Sequence, residues 1–411
     1  MQNSVKATNG IVLAYSGGLD TTAIIPWLGE NYPGQRIIAC CVDVGQCNDY
    51  AALEKRALAT GAAKVYVINA RDEFADDFIV PMVKAGAIYE GKYLLGTAAA
   101  RPLIAKKLID VSLNEGATAI CHGATGKGND QLRFELTIKA FAPWLTIIAP
   151  WRIWAIRSRE DAMEYLRERG IEPPSAKNQS YSRDENLWHL SHEGLELEDP
   201  AVLPDYRHLL QLSSSPEDAP DEAQIVELVF EKGAPVSLDG EKMASAPLIE
   251  KLNKIGGRHA IGITDMVENR VIGLKSRGVY ETPGGAIIYA AHQALEGLCL
   301  DRQTVAFKAT VGQRMAEVIY AGEWYSPLRE ALSAFVDVTQ ATVSGTVRLK
   351  LYKGNIIPAG VTSPHSLYNQ DLSSFATGTV FDHKDAEGFI NLTGLPMTVR
   401  ALMAREMGEN K

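Results

Sequence analysis

The stretch Ala14-Tyr15-Ser16-Gly17-Gly18-Leu19-Asp20-Thr21-Thr22 constrains the fold more than any other part of the chain. An apolar run, Ile11 to Ala14, precedes it, and a helix-compatible run, Thr21 to Leu28, follows it. The pattern is strand, glycine turn, helix. Two adjacent glycines let the backbone turn tightly and approach a ligand without a side chain in the way. The turn delivers the chain to a helix N-terminus, where unpaired N–H groups and the positive end of the dipole favour an anion. Ser16, Thr21 and Thr22 add hydroxyl donors around the same point. This local chemistry is that of a phosphate or pyrophosphate cradle, with an ordinary strand–helix turn as the plainer reading.

Two familiar cradles are excluded. No Lys follows these glycines as a P-loop requires, and no G-x-G-x-x-G opens the helix. Ser16-Gly17-Gly18-Leu19-Asp20-Thr21 instead resembles the PP-loop of ATP pyrophosphatases, which split ATP between its α- and β-phosphates.

The length of 411 residues predicts two or three domains. The balance of 41 basic against 50 acidic side chains, a net −9, argues against a general nucleic-acid or anionic-membrane partner. Of the five cysteines, Cys40, Cys41 and Cys121 fall in apolar runs, and none of the five forms a C-x-x-C pair. That usage predicts buried reduced thiols, no disulfide framework and no zinc site. No segment approaches the ~20 apolar residues of a membrane span. With no signal peptide visible, a cytoplasmic protein is expected.

Residues 1–9 are polar, and regular elements begin after them. Strands are expected at Ile11–Ala14, Arg36–Val44, Lys64–Asn69, Thr118–His122 and Leu145–Ala149, alternating with helices. Pro26 and Pro81 fall inside two of those helical runs and should disturb them. Ser158 and Asp161 stand at capping-box spacing. Alternation of this kind makes a parallel α/β sheet, and ligands of such sheets bind beyond the carboxyl ends of the strands. Both glycine-rich turns, Ser16–Asp20 and Gly123–Asn129, lie at such ends. Glu172-Pro173-Pro174 marks a boundary, and strands and helices then mix as in an α+β domain. Pro396–Met407 reads as a terminal helix, with methionines suited to packing on its own domain or on another subunit.

Four further stretches carry polar groups. Gly123-Ala124-Thr125-Gly126-Lys127-Gly128-Asn129-Asp130-Gln131-Leu132-Arg133 resembles the end of a P-loop, but Gly128 stands where Ser or Thr should follow the Lys. Its acid, amide and guanidinium suit a zwitterionic amino acid, and suit a capped helix with a surface ion pair equally. Tyr93 opens a loop that runs into a helix, and read by itself it is a packed core tyrosine. Read singly, Ser182–Ser191 is a solvated loop and strand, and Glu268–Tyr280 an ion-paired surface. The histidines show no metal spacing, and no nucleophile motif appears.

Taken together and in order, these stretches resemble the argininosuccinate synthase family over nearly the whole chain. The resemblance rests on Tyr15–Thr21, on Gly123–Glu135, and on Glu268-Asn269-Arg270 with Lys275-Ser276-Arg277-Gly278-Val279-Tyr280-Glu281-Thr282-Pro283. It implies a PP-loop nucleotide-binding α/β domain of the adenine nucleotide alpha hydrolase type over 1–170. An α+β synthetase domain over 171–365 and a C-terminal segment over 366–411 with an oligomerisation helix follow. The implied reaction joins L-citrulline to L-aspartate through a citrullyl-adenylate, releasing AMP and pyrophosphate, with Mg²⁺ accompanying ATP and no metal held by the protein. By motif position, Ala14, Tyr15, Ser16, Gly17, Gly18, Leu19, Asp20, Thr21, Thr22, Ala39 and Gly123 would hold ATP. Thr125, Asn129 and Asp130 would hold aspartate. Tyr93, Asn129, Arg133, Ser182, Ser191, Glu268 and Tyr280 would hold citrulline. No general base is assigned; Ser16 and Asp20 would position the phosphates. The family is tetrameric, so a homotetramer is implied.

Two departures stand out: Thr22 replaces the family's Ser and keeps the hydroxyl, whereas Ala98 replaces a Ser and cannot hydrogen-bond through its side chain. Citrulline affinity is the property at stake, with Thr97 as the replacement. Two rival readings are another PP-loop adenylating ligase and a non-catalytic nucleotide sensor. The first is opposed by the acidic charge and the missing C-x-x-C. The second is opposed by polar clusters beyond residue 170 that a sensor would not need.

Overall fold

The computed structural model describes residues 10–46, 49–126, 128–174, 181–375 and 380–408. The polar segment 1–9, Cys47 and Lys127 lie outside the described residues.

Five parallel strands form the first sheet: β1 (Gly10–Ala14), β2 (Arg36–Asp43), β3 (Lys64–Asn69), β4 (Ala119–Cys121) and β5 (Thr146–Ile148). Their spatial order is β3-β2-β1-β4-β5. The chain therefore works outward from β1 to one edge, then returns to the other side of β1. Where β1 and β4 lie side by side, the connections leave in opposite directions and open a crevice at the carboxyl ends. Alternate residues explain why these runs are apolar throughout. Ile11, Leu13, Ile37, Ala39 and Cys41 pack into one core, and Val12, Ile38, Cys40 and Val42 into another, on the opposite face.

The helices begin and end where local chemistry dictates. Helix α1 (Leu19–Asn31) continues through Pro26. Helix α2 (Tyr50–Thr60) starts at Asp49, whose side chain accepts from the Ala52 N–H, and stops at Gly61 in the left-handed region, φ +115°. Ser158 and Asp161 close the expected capping box on the helix Arg159–Glu168. The helical stretch with Pro81 is altered rather than broken: Phe74–Ile79 is a π-helical turn between the helical segments Arg71–Glu73 and Val80–Ala85. Proline offers no N–H to the ordinary ladder, and a wider turn just ahead of it accommodates that loss.

Beyond residue 180 the strands are antiparallel: β6 (Ser182–Glu185), β7 (Leu190–Glu193), β8 (Gln224–Glu231), β9 (Ala234–Leu238), β10 (Glu241–Lys242), β11 (Ile263–Asn269), β12 (Lys275–Glu281), β13 (Gly345–Tyr352) and β14 (Asn355–Thr362). They make two sheets, ordered β10-β9-β8-β13-β14 and β11-β12-β7-β6. The second of these matters for the site. Its β6–β7 turn docks on the parallel sheet, where the Leu187 N–H donates to the Val44 carbonyl at 2.8 Å. Gly45, φ +102°, permits that approach: a Cβ there would stand 2.6 Å from the Leu187 backbone nitrogen.

One compact unit extends to His365 and a second covers Ser366–Lys411. A single core in the first unit unites Val12, Phe74 and Leu103 with Trp188, Leu228, Ile287 and Val347. In the second, the helices Lys384–Thr393 and Leu395–Glu406 contain no buried residue.

Candidate active site

Strand pairing continues one residue past β1, because the Tyr15 N–H donates to the Cys40 carbonyl at 2.9 Å. The chain then breaks away through Ser16, Gly17 and Gly18. Gly17 takes φ +74°, and a Cβ on it would press to 3.0 Å from Leu53 Cδ1. Arg56 Nη1 holds the Gly17 carbonyl from outside at 2.8 Å. Gly18 is the N-cap of α1 and contributes no side-chain cap, so the first amides of the helix are left for a ligand. Ser16 Oγ and Thr21 Oγ1 meet at 3.1 Å over the same opening.

The second turn leaves β4 next door. A Cβ on Gly123 would lie 3.2 Å from Thr21 Cγ2 and 3.3 Å from Ile24 Cδ1, so the two glycine turns pack against each other. Asn129 precedes the helix Asp130–Phe141 and accepts the Val271 N–H at 3.0 Å, which joins this turn to the β11–β12 hairpin. Asp130 accepts from Arg101 Nε at 2.8 Å and from Arg133 Nη1 at 2.9 Å. Arg101 also reaches Asp184 of β6 at 2.7 Å. Burial works against the charge on Arg101, but Asp130 and Asp184 outweigh it and raise its affinity for the proton. Burial likewise opposes ionisation of Asp184, and Arg101 with His189 reverses this and holds the carboxyl well below the usual range.

The antiparallel sheet supplies the facing wall. Tyr93 is buried, its ring 4.6 Å from that of Tyr280, and its hydroxyl accepts the Thr97 N–H at 3.1 Å. Register sets Tyr280 of β12 opposite Ser191 of β7, and Ser191 opposite Asp184 of β6. Arg133 is buried and donates to the Tyr320 carbonyl through Nε and Nη2. Glu268 is 5% exposed; its Oε2 makes no hydrogen bond of ordinary geometry among the described residues, and the buried Tyr320 hydroxyl, equally without one, is its neighbour. Burial pushes the Glu268 carboxyl up, and Arg133 draws it partly back. A buried acceptor left open in this way fits a ligand that brings its own donor, such as an ammonium group.

These parts enclose one cavity of about 630 Å³, in the size range of small-molecule sites. Among its lining residues are Ala14, Tyr15, Ser16, Gly18, Thr21, Gly123, Thr125, Asn129, Asp130, Tyr93, Arg133, Ser182, Ser191, Glu268 and Tyr280. Gly17, Leu19, Asp20, Thr22 and Ala39 are not. Leu19, Thr22 and Ala39 are buried, and Ala39 faces the core while its neighbours Cys40, Cys41 and Val42 reach the cavity. Asp20 is partly buried, which raises its carboxyl pKa, and Arg159 opposes that shift. Ala98 is fully buried off the cavity, whereas Thr97 lines it and binds Asp184 Oδ2 at 2.7 Å and His189 Nε2 at 2.9 Å. Ser182–Ser191, read singly as solvated, is a hairpin whose second strand is buried; in Glu268–Tyr280, Arg270 and Arg277 are ion-paired as expected, with Glu193 and Asp265, while Glu268 and Tyr280 are interior. Burial here comes from sheet partners remote in sequence.

Cavity residues to which sequence reasoning assigned no role include Arg101, Arg183, Asp184, Arg270 and Tyr320, whereas Thr97, named from sequence, lines the cavity. A signal existed for Arg101: Thr97, Arg101 and Ile104 fall at i, i+4 and i+7 on the helix Gly96–Glu115, one face of it. Arg183, Asp184 and Arg270 lie in polar stretches already singled out, and no local signal marks Tyr320.

Amides placed for phosphate and a wall placed for amino acids have a joint use in a nucleotide-dependent ligase, and that is the class this fold and site define. Comparison with known proteins narrows it. Residues 10–172 match the family model described as the arginosuccinate synthase N-terminal HUP domain, and residues 181–400 match that of the C-terminal domain. The chain is 63% identical over 401 residues to the argininosuccinate synthase of Brachyspira hyodysenteriae, covering 97% of this chain and 98% of that one. It is 60% identical over 404 residues to that of Lachnoclostridium phytofermentans, covering 98% and 99%. With that of Acetivibrio thermocellus the identity is 62% over 393 residues, covering 96% and 97%. The chain belongs to the argininosuccinate synthase family.

Proposed function

We propose that the cavity is where the family's reaction runs, with ATP over the two glycine turns and both amino acids against the β6–β7–β12–β11 wall. The enzyme is an ATP-dependent ligase of arginine biosynthesis that joins L-citrulline to L-aspartate. One observation carries the placement: a single cavity is lined by both glycine turns and by the groups suited to amino acids.

On this reading Tyr15, Ser16, Gly18 and Thr21 hold the phosphates, with Gly123 near the nucleoside. Thr125, Asn129 and Asp130 hold aspartate. Tyr93, Asn129, Arg133, Ser182, Ser191, Glu268 and Tyr280 hold citrulline. Gly17, Leu19, Asp20, Thr22 and Ala39 shape the nucleotide half from behind. The ureido oxygen of citrulline attacks the α-phosphorus, forming citrullyl-adenylate, and the bond to pyrophosphate breaks. Free amides of the PP-loop stabilise the charge gathering on that leaving group. The aspartate amine then attacks the activated carbon and AMP departs. Holding the reactants in line can supply ~7–11 kcal/mol of such a barrier. Asp130 already accepts from two arginines, which supports a holding role for it over that of a base.

Mg²⁺ would arrive on the nucleotide. Among the described residues no cluster of three or more His, Cys, Asp or Glu side chains could hold a metal, and Mg²⁺ keeps most of its coordination for phosphate and water. The ion's contribution would be charge neutralisation on phosphate oxygens. No helix is long and apolar enough to cross a membrane among the described residues, in keeping with a cytoplasmic enzyme. A homotetramer that binds neither nucleic acid nor membrane completes the reading. Another adenylating ligase or a nucleotide sensor is not favoured, since the family match spans the substrate-side half as well.

The test measures pyrophosphate release with one substrate omitted at a time. Release should need ATP and citrulline together and stop when citrulline is left out. Release independent of citrulline would defeat the reading.

A further inference from the structure

The second glycine turn is held from outside the cavity by side chains that the reaction does not use. At its start, the Ala124 N–H donates to His122 Nδ1 at 3.3 Å. His122 is fully buried and stacks on Phe134 at 5.5 Å. With Nδ1 accepting, the ring carries its proton on Nε2, which faces Glu135 Oε1 at 3.2 Å. At the other end of the turn, Gln131 Nε2 donates to the carbonyls of Gly126 at 2.8 Å and Gly128 at 3.2 Å. One side chain joins the two ends. Arg152, in the short 3-10 turn Pro150–Arg152 after β5, meets Glu135 at 2.6 Å and also donates to Gln131 Oε1 through Nε and Nη2, at 3.1 and 2.5 Å.

We infer that Arg152 is a positioning residue: with Glu135, His122 and Gln131 it forms a closed brace that fixes Ala124, Gly126 and Gly128 of the second glycine turn before aspartate and ATP arrive. A turn rich in glycine has many conformations open to it, and clamping both ends restricts them. The guanidinium suits the task because its planar fork reaches a carboxylate and an amide oxygen at once; a lysine offers only a point charge. His122 and Arg152 hold Glu135 down to about 2, so that carboxylate stays ionised over any working pH. The inference rests on the reading that Thr125 and Gly123 serve aspartate and ATP.

Three variants test it: Arg152→Ala, Arg152→Lys and Gln131→Ala. Arg152 is 42% exposed at its side chain, so its loss should leave the melting temperature nearly unchanged. Arg152→Ala should raise KM for aspartate and ATP about tenfold while KM for citrulline stays within twofold, with Arg152→Lys in between. Adding Gln131→Ala to Arg152→Ala should cost little more than either alone, as expected for parts of one unit. Amide hydrogen exchange of 123–129 in the ligand-free enzyme should quicken in Arg152→Ala. Unchanged exchange overturns the brace. Faster exchange with all three KM values unchanged also overturns the proposal, and does so by showing that the turn does not serve these ligands. An equal rise in all three KM values with a lowered melting temperature reduces Arg152 to a stabilising surface residue and overturns it as well.

Discussion

Glu268 is a carboxylate whose native setting disfavours its own charge. Burial raises its pKa, and Arg133 and the neighbouring Tyr320 hydroxyl only partly offset this. The sign of the resulting pH dependence follows. The native state holds the neutral form more tightly than the unfolded chain does, so the penalty is absent below the ordinary carboxylate range. It grows as pH rises through the raised value and is complete above it. Glu268→Gln should therefore stabilise the protein at pH 8, and that gain should fade as the pH falls toward about 4. Thermal melts across that range check it. If Glu268 meets the citrulline ammonium, the same substitution should raise KM for citrulline roughly ten- to hundredfold, from about 1.5–3 kcal/mol for a bond to a charged group. At position 98, geometry answers what sequence left open: a fully buried Ala98 presents nothing to the cavity, and the adjacent Thr97 hydroxyl is already bonded to Asp184 and His189.

At the scale of elements, the parallel sheet was legible because its cues are local. Apolar runs, a capping box, a C-terminal glycine and two glycine turns each act within a few residues, and the strands β1 to β5 appear within two residues of where they were expected. The π-turn before Pro81 was legible only as a disturbance, since sequence names the missing donor but not the way the ladder reforms. The β6–β7 hairpin was less legible. Its polar residues read as solvated, and their burial depends on β12 and on the docking of Leu187 against Val44. Gly45 makes that docking possible. Gly45→Ala would force a side chain to within 2.6 Å of Leu187 and hold alanine at φ +102°. A loss of about 1–3 kcal/mol is expected, with a raised KM for citrulline because β6 and β7 carry Ser182 and Ser191. Denaturant unfolding and substrate kinetics on one preparation read both.

For the molecule as a whole, the two C-terminal helices pose the remaining structural question. Phe389, Ile390, Leu392, Met397, Leu402 and Met403 are exposed, each above half of full accessibility. The proposed homotetramer gives such apolar side chains a place, as burial between subunits is favourable by about 25 cal/mol per Å². Light scattering should return four times the chain mass of 44.7 kDa, and Leu392→Glu with Met403→Glu should lower it. A monomer mass for the unsubstituted chain would end the proposal.

Sequence alone determined the nature of the chemistry: a glycine turn between a strand and a helix, with Gly17 at φ +74° where glycine is favoured, leaves the first helical amides free for phosphate. Tertiary structure decided which charges meet. Thr97 and Asp184 are 87 residues apart in the chain, and Arg101 neutralises Asp130 and Asp184 together only because β6 folds back over the parallel sheet. Backbone conformation is a short-range property written in neighbouring residues. Electrostatic pairing and burial belong to atoms that packing alone brings together.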